Sequence, residues 1–127
     1  MPNLKALIFF QAVGLYPTNS IDTNKFLLAD CKANILVVED ESTAREVMAH
    51  REDLPDLKTI IQWSGNIPES NTYVISWKDA VQIGNTYSDD QPVIERHLKM
   101  AINECCLLIY TSGTTGNPKG MENERFY

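Results

Sequence analysis

The residues best equipped for chemistry sit together in Thr111-Ser112-Gly113-Thr114-Thr115-Gly116-Asn117-Pro118-Lys119-Gly120. Gly113, Gly116 and Gly120 allow positive φ and close approach of the backbone to a ligand. Successive N–H groups in such a segment can converge on one anion. Thr111, Ser112, Thr114 and Thr115 add hydroxyl donors, and Lys119 adds a compact positive charge suited to phosphate oxygens. Pro118 stiffens the chain just before the lysine. The order differs from a Walker loop, which needs Gly-Lys-Ser/Thr, because here Lys119 precedes Gly120 and Met121 follows. No G-x-G-x-x-G is present either. A Ser/Thr/Gly surface loop without a ligand would share the composition, but this residue order is far more specific.

The elements that must position this segment are readable upstream. Cys105-Cys106-Leu107-Leu108-Ile109-Tyr110 is an apolar run expected to form a buried strand entering the loop. Ile35-Leu36-Val37-Val38 reads as a buried parallel strand, and Thr59-Ile60-Ile61-Gln62-Trp63 as another. Tyr73-Val74-Ile75 and Gly14-Leu15-Tyr16 are short strand candidates, and residues 4–13 read as the end of a helix. Ser20 or Asp22 should cap a helix containing Phe26, Leu27 and Cys31. Thr43-x-x-Glu46 reads as a capping box for a helix reaching Arg51. Trp77 to Ile83 is a short helix, and Asp89-Asp90 ahead of Pro92 is a helix start. Val93, Ile94, His97, Leu98, Ala101 and Ile102 then form one helical stripe. Strands alternating with helices predict an α/β fold, with Ile35–Val38, Thr59–Gln62 and Cys106–Tyr110 in one parallel sheet and the ligand beyond the strands' carboxyl ends. An exposed loop from Thr111 to Lys119 is expected there.

Composition narrows the function classes. The 127 residues carry a formal charge of −6, are 43% hydrophobic and 22% charged, and fit one small folded domain. The acidic balance, with no basic cluster, argues against nucleic acid as a partner. No apolar stretch reaches the ~20 residues of a transmembrane helix, and Leu4 to Phe10 is too short for a signal peptide. Cys31, Cys105 and Cys106 show no C-x-x-C spacing and read as packed free thiols. Asp89-Asp90 suits a helix start better than a metal pair, and no metal ligands are assigned. His50 and His97 read as structural, as do Trp63, Tyr73 and Trp77.

Tyr110 through Gly120 resembles the ATP-binding signature of the adenylate-forming, or AMP-binding, superfamily, which includes acyl-CoA synthetases, luciferases and peptide-synthetase adenylation domains. Ala12-Val13-Gly14-Leu15-Tyr16 with Thr18-Asn19-Ser20 is similar to the long-chain acyl-CoA synthetases of the bubblegum type. So are Ala33-Asn34-Ile35-Leu36-Val37-Val38-Glu39, Leu54-Pro55-Asp56-Leu57-Lys58 and Asn103-Glu104-Cys105-Cys106. The resemblance implies an α/β, parallel-sheet part of the large N-terminal domain over residues 1–120, followed by a divergent tail at 121–127. It implies a ligase that activates fatty acids through an acyl-adenylate, using ATP, Mg2+ and coenzyme A. Thr111, Ser112, Gly113, Thr114, Thr115, Gly116, Asn117, Pro118 and Lys119 would form the nucleotide-binding loop, with Ser112, Thr114 and Thr115 donating to phosphate oxygens and Lys119 balancing their charge.

The family pattern is left after Gly120. Its magnesium-holding glutamate, ribose-binding aspartate, hinge and C-terminal catalytic lysine are not matched here. No catalytic residue is therefore assigned, and the chain is expected to be a fragment of such a ligase without activity of its own. The alternative is a truncated product acting as a weak nucleotide-binding or protein-interaction module. The family setting implies a cytoplasmic location and allows peripheral association with the endoplasmic reticulum or other membranes.

Overall fold

A computed structural model describes residues 11–67, 72–99, 105–111 and 119–124. The chain divides into two compact units, one of residues Thr18–Tyr87 and one of Met1–Pro17 with Ser88–Tyr127.

The Thr18–Tyr87 unit is an α/β layer. It runs α1 (Ile21–Asp30), β2 (Ile35–Val38), α2 (Glu41–Ala49), a 3-10 turn (Arg51–Asp53), β3 (Thr59–Gln62), β4 (Val74–Ser76) and α3 (Trp77–Thr86). Its sheet has the order β2-β3-β4 and is parallel throughout, with Leu36, Ile60 and Val74 in register. The core takes Leu36, Val38, Ile60 and Val74 from one face of the sheet. Leu27 and Leu28 of α1, Ala44 and Val47 of α2, and Leu54 and Leu57 before β3 complete it. Side chains alternate along a strand, so Ile35 and Val37 point the other way, and Val37 remains 53% exposed. The expectation of a strand buried on both faces is thus corrected to one with a single covered face.

Each helix here begins on a side chain that satisfies a free N–H of the first turn. Ser20 Oγ accepts from Thr23 N at 3.2 Å, and Ser76 Oγ accepts from Asp79 N at 2.9 Å. In α2 the cap is Asp40, whose Oδ1 accepts from Thr43 N at 2.9 Å and from Ser42 Oγ at 2.8 Å. Thr43 is therefore inside the helix and not its cap, because a carboxylate stands three residues ahead of it. The helix also stops at Ala49, before the 3-10 turn that contains Arg51. The end of α1 is a Schellman motif: Ala33 N donates to Leu28 O at 3.0 Å and Lys32 N to Ala29 O at 3.2 Å. It places Lys32 at φ 51°, the left-handed region that favours glycine.

Several polar links tie the unit together. Lys25 Nζ lies 2.6 Å from Asp53 Oδ2 and 3.4 Å from His50 Nδ1, joining α1 to the end of α2. Gln62, buried at the end of β3, donates from Nε2 to Ser64 O at 2.6 Å and so orders the turn through Gly65. The Trp63 and Trp77 ring centroids are 4.8 Å apart, and the Arg51 guanidinium lies over the Tyr73 ring at 5.2 Å. These aromatics pack as expected, but at the surface, with Trp63 62% exposed.

The other unit contains β1 (Ala12–Val13), α4 (Gln91–Lys99), β5 (Cys105–Thr111) and β6 (Lys119–Glu124). Its sheet has the order β1-β5-β6, with β1 parallel and β6 antiparallel to β5. Two expectations change here. The strand containing Cys106–Tyr110 belongs to this mixed sheet and not to the parallel sheet of β2 and β3. The first strand is Ala12–Val13 and not Gly14 to Tyr16, because Ala12 and Val13 pair with Leu107 and Leu108. Asp89 begins α4 as expected, its Oδ1 accepting from Gln91 N at 2.9 Å. Ile94 and Leu98 of the expected apolar stripe are exposed, whereas Ala101 and Ile102 lie outside the described residues. The expected helix end over residues 4–13 is corrected at Ala12–Val13, which form β1 by pairing with β5; its part before residue 11 lies outside the described residues.

Candidate functional site

The candidate site is the hairpin of β5 and β6. An apolar strand, Leu107 to Tyr110, is held on one side by β1 and on the other by β6. The β5–β6 ladder pairs Ile109 with Met121, Tyr110 with Gly120 and Thr111 with Lys119. Among the described residues, Thr111 and Lys119 thus stand across from each other as the last pair of the ladder, with residues 112–118 connecting them. Both had been expected within the loop; they are the strand ends that close it. Of the remaining sequence-predicted site residues, Ser112, Gly113, Thr114, Thr115, Gly116, Asn117 and Pro118 lie outside the described residues.

Gly120 does not take the positive φ expected of it. Among the described residues only Gly65 is a glycine of positive φ. A Cβ at Gly120 would lie 3.2 Å from Tyr110 Cε1 and 3.2 Å from Leu108 Cδ1, closer than ordinary van der Waals contact. Tyr110 itself is 4% exposed. The sequence places Tyr110 at the end of the strand and the start of the signature but does not show what its ring packs against. The signal that could have exposed its role is an aromatic residue placed opposite a glycine, but reading it requires knowing the partner strand.

The remaining polar features do not make a second site. Among the described residues no group of three or more His, Cys, Asp or Glu could hold a metal ion. A depression at the carboxyl end of β2 and β3 is lined, among the described residues, by Val37, Val38, Glu39 and Trp63, none of them a cation. Burial raises the Cys31 thiol above its ordinary pKa, which suits a packed thiol better than a nucleophile. His50 belongs to the Lys25–Asp53 link; the side chain of His97 is not among those described.

Comparison with known proteins places the hairpin in context. The model of the AMP-binding enzyme family matches residues 10–123, a span that includes β5, the following segment and all of β6 but its last residue. The chain belongs to the AMP-binding enzyme family. Its similar relatives include the long-chain-fatty-acid–CoA ligases ACSBG2 of Xenopus laevis, 39% identical over 87% of this chain, and ACSBG2 of Gallus gallus, 41% identical over 87% of it. ACSBG1 of Rattus norvegicus is 34% identical over 89% of the chain. These alignments cover 15%, 14% and 17% of the respective relatives, so the AMP-binding chain described here spans a small part of their length. Among solved structures, the anthranilate CoA ligase AuaEII in complex with anthranoyl-AMP matches with a TM-score of 0.61 at 25% identity, over 90% of this chain and 20% of that one. The luciferase-like enzyme of the Zophobas morio mealworm shares the fold, with a TM-score of 0.57 at 21% identity over 90% of this chain and 24% of its own. The α/β, parallel-sheet reading and the adenylate-forming family therefore both stand. Among the described residues no helix is long and apolar enough to cross a membrane.

Proposed function

We propose that this chain supplies the triphosphate-binding hairpin of a long-chain fatty acid–CoA ligase, which activates a fatty acid as its acyl-adenylate. The observation that carries the proposal is the Thr111–Lys119 pair at the mouth of the β5–β6 hairpin. It closes a segment of hydroxyl and glycine residues with a cation at one end. Similarity to acyl-CoA ligases over most of the chain supports the same reading.

In the proposed reaction the fatty acid carboxylate attacks the α-phosphorus of ATP. A new O–P bond forms as the bond to pyrophosphate breaks. The thiol of coenzyme A then attacks the acyl carbon, its proton is lost, and AMP leaves with the electron pair of the cleaved C–O bond. The demand on this chain is to hold the β- and γ-phosphates so that pyrophosphate departs in line. Thr111, Ser112, Thr114 and Thr115 donate hydroxyl hydrogen bonds to phosphate oxygens. Lys119 balances their charge, and Gly113 and Gly116 let the backbone N–H groups approach. Asn117 and Pro118 complete the segment. The family implies Mg2+ with the triphosphate, but the described residues do not fit a magnesium site, since none converge as a carboxylate cluster; no step is assigned to the ion.

The test is titration of the 127-residue chain with ATP and with tripolyphosphate, followed by amide chemical shifts. We expect saturable shifts at Thr111 and Lys119, with Kd in the high micromolar range or weaker, because one hairpin makes few contacts. Lys119→Ala should weaken binding about tenfold, the scale of one charge-assisted contact. Fatty-acid-dependent pyrophosphate release by these residues alone is expected to stay at background. Absence of any shift at the hairpin, or equal binding by Lys119→Ala, would overturn the reading.

A further inference from the structure

We propose that Tyr110 and Gly120 are positioning residues: an aromatic ring packed over a glycine in the facing strand fixes the register of the β5–β6 hairpin and thereby sets Thr111 opposite Lys119. The positioning role rests on the phosphate-binding reading above; the register itself does not.

The need for such a device follows from the composition of β6. Lys119-Gly120-Met121-Glu122-Asn123-Glu124 contains no β-branched or aromatic residue, and Gly, Asn and Glu are depleted in strands. Register in a sheet is usually specified by apolar alternation, and strands without it are prone to slip. Because β6 offers only Met121 as an apolar member, alternation cannot select one pairing. Shape can. Gly120 is the one position of β6 without a Cβ, and it is the residue paired with Tyr110. The place its Cβ would occupy lies 3.2 Å from Tyr110 Cε1, 3.3 Å from Tyr110 Cζ and 3.2 Å from Leu108 Cδ1.

Two residues on the same face of β5, Leu108 and Tyr110, therefore flank the place a Gly120 side chain would take, while the Gly120 residue itself stays exposed. Tyr110 is buried, so admitting even a methyl group at Gly120 requires its ring to shift by tenths of an ångström against packed neighbours. Sliding β6 in either direction brings a residue with a Cβ under that ring. Covering a strand glycine with a cross-strand aromatic is a known way of pinning register. The next pair in the ladder is Thr111 with Lys119. A slip would carry the lysine away from the hydroxyl residues with which it is to share a phosphate.

The experiment uses the whole isotopically labelled 127-residue chain. Cross-strand backbone NOEs between Thr111 and Lys119 report the register, and the upfield ring-current shift of the Gly120 α-protons reports the aromatic cover. Ala12–Leu107 NOEs across β1 and β5 show whether the sheet is still formed. Tripolyphosphate is the ligand probe. We expect Tyr110→Phe to keep the register, the upfield shift and a Kd within about twofold of the parent. Gly120→Val should lose the Thr111–Lys119 NOE, keep Ala12–Leu107, and weaken tripolyphosphate about tenfold or more. If Gly120→Val also loses the Ala12–Leu107 NOEs, Gly120→Ala decides, since its single methyl group must displace the Tyr110 ring by tenths of an ångström. Loss of the upfield shift together with weaker tripolyphosphate binding then supports the proposal.

An unchanged Thr111–Lys119 NOE in Gly120→Val overturns the register device. Unchanged shift and affinity in Gly120→Ala do the same when that variant decides. A shifted register with unchanged tripolyphosphate affinity overturns the positioning role. A parent chain that shows the expected NOEs but binds no tripolyphosphate refutes the phosphate reading and the positioning role together, while the NOE pattern of the variants still confirms or rejects the register device.

Discussion

Val37 and Val38 are neighbours on β2, and the same substitution at each should have different consequences. Val38 is 7% exposed and points into the core; Val37 is 53% exposed and points to the other face of the sheet. Threonine replaces a methyl with a hydroxyl at nearly constant shape, and both residues are β-branched, so strand propensity changes little. At Val38 the hydroxyl must be buried, which costs about 1–3 kcal/mol in proteins. At Val37 it stays in water, and the change should fall within about 0.5 kcal/mol. For a unit of this size a loss of 1 kcal/mol lowers Tm by about 4–8 °C, so a 2 kcal/mol loss in Val38→Thr implies a drop of about 8–16 °C. In urea the same loss moves the midpoint down by about 1–2 M. Both tryptophans of the chain, Trp63 and Trp77, lie in the Thr18–Tyr87 unit with their rings 4.8 Å apart. Tryptophan fluorescence therefore follows the unfolding of this unit and not the other. Equal midpoints for the two variants, or a larger loss in Val37→Thr, would refute the single covered face assigned to β2.

The Ser20 cap should be worth about 1 kcal/mol, so Ser20→Ala should lower the urea midpoint accordingly; Asp40→Ala should lower it too, and the two effects should add in the double variant. Lys32→Gly should stabilise the unit by up to about 1 kcal/mol in the same assay, because φ at this position is 51° and glycine adopts it without strain. Acid should weaken the unit through Asp40 and Asp53. The Thr43 amide and then the Ser42 hydroxyl hold the Asp40 carboxyl below its ordinary pKa, and the Lys25 hydrogen bond and charge do so for Asp53. A carboxyl whose pKa is depressed on folding adds stability that is complete above its unfolded value and is lost as pH falls through its folded value. Stability measured from pH 6 downward should therefore fall below about pH 4–5, and Asp53→Asn should flatten that fall. A parent and variant with superimposable acid limbs would contradict the role given to the Lys25–Asp53 pair.

What could be read from the sequence was what local chemistry decides. Ile35–Val38 and Thr59–Gln62 are strands at the expected residues because their apolar runs fit nothing else of that length. Of the two candidate caps, Ser20 takes the role, its Oγ accepting from Thr23 N, and Asp22 falls inside the first turn of α1. Where two local signals competed, the weaker one was easy to choose: Thr43 has a glutamate three residues on, yet Asp40 has the better acceptor and takes the Thr43 amide for itself. The features that stayed hidden are non-local. Nothing in Cys105–Thr111 distinguishes the parallel sheet of β2 and β3 from a sheet with Ala12–Val13, since a buried apolar strand fits either. β6 is harder still, for Lys119–Glu124 has almost no strand character and exists as a strand only because β5 offers it a ladder. The candidate site shows the same division. Its phosphate chemistry is spelled out in the order of residues Thr111 to Gly120, whereas the geometry that closes its mouth depends on which residue of β6 faces Tyr110. That pairing is a property of two strands meeting, and the missing Cβ of Gly120 is its one trace in the sequence.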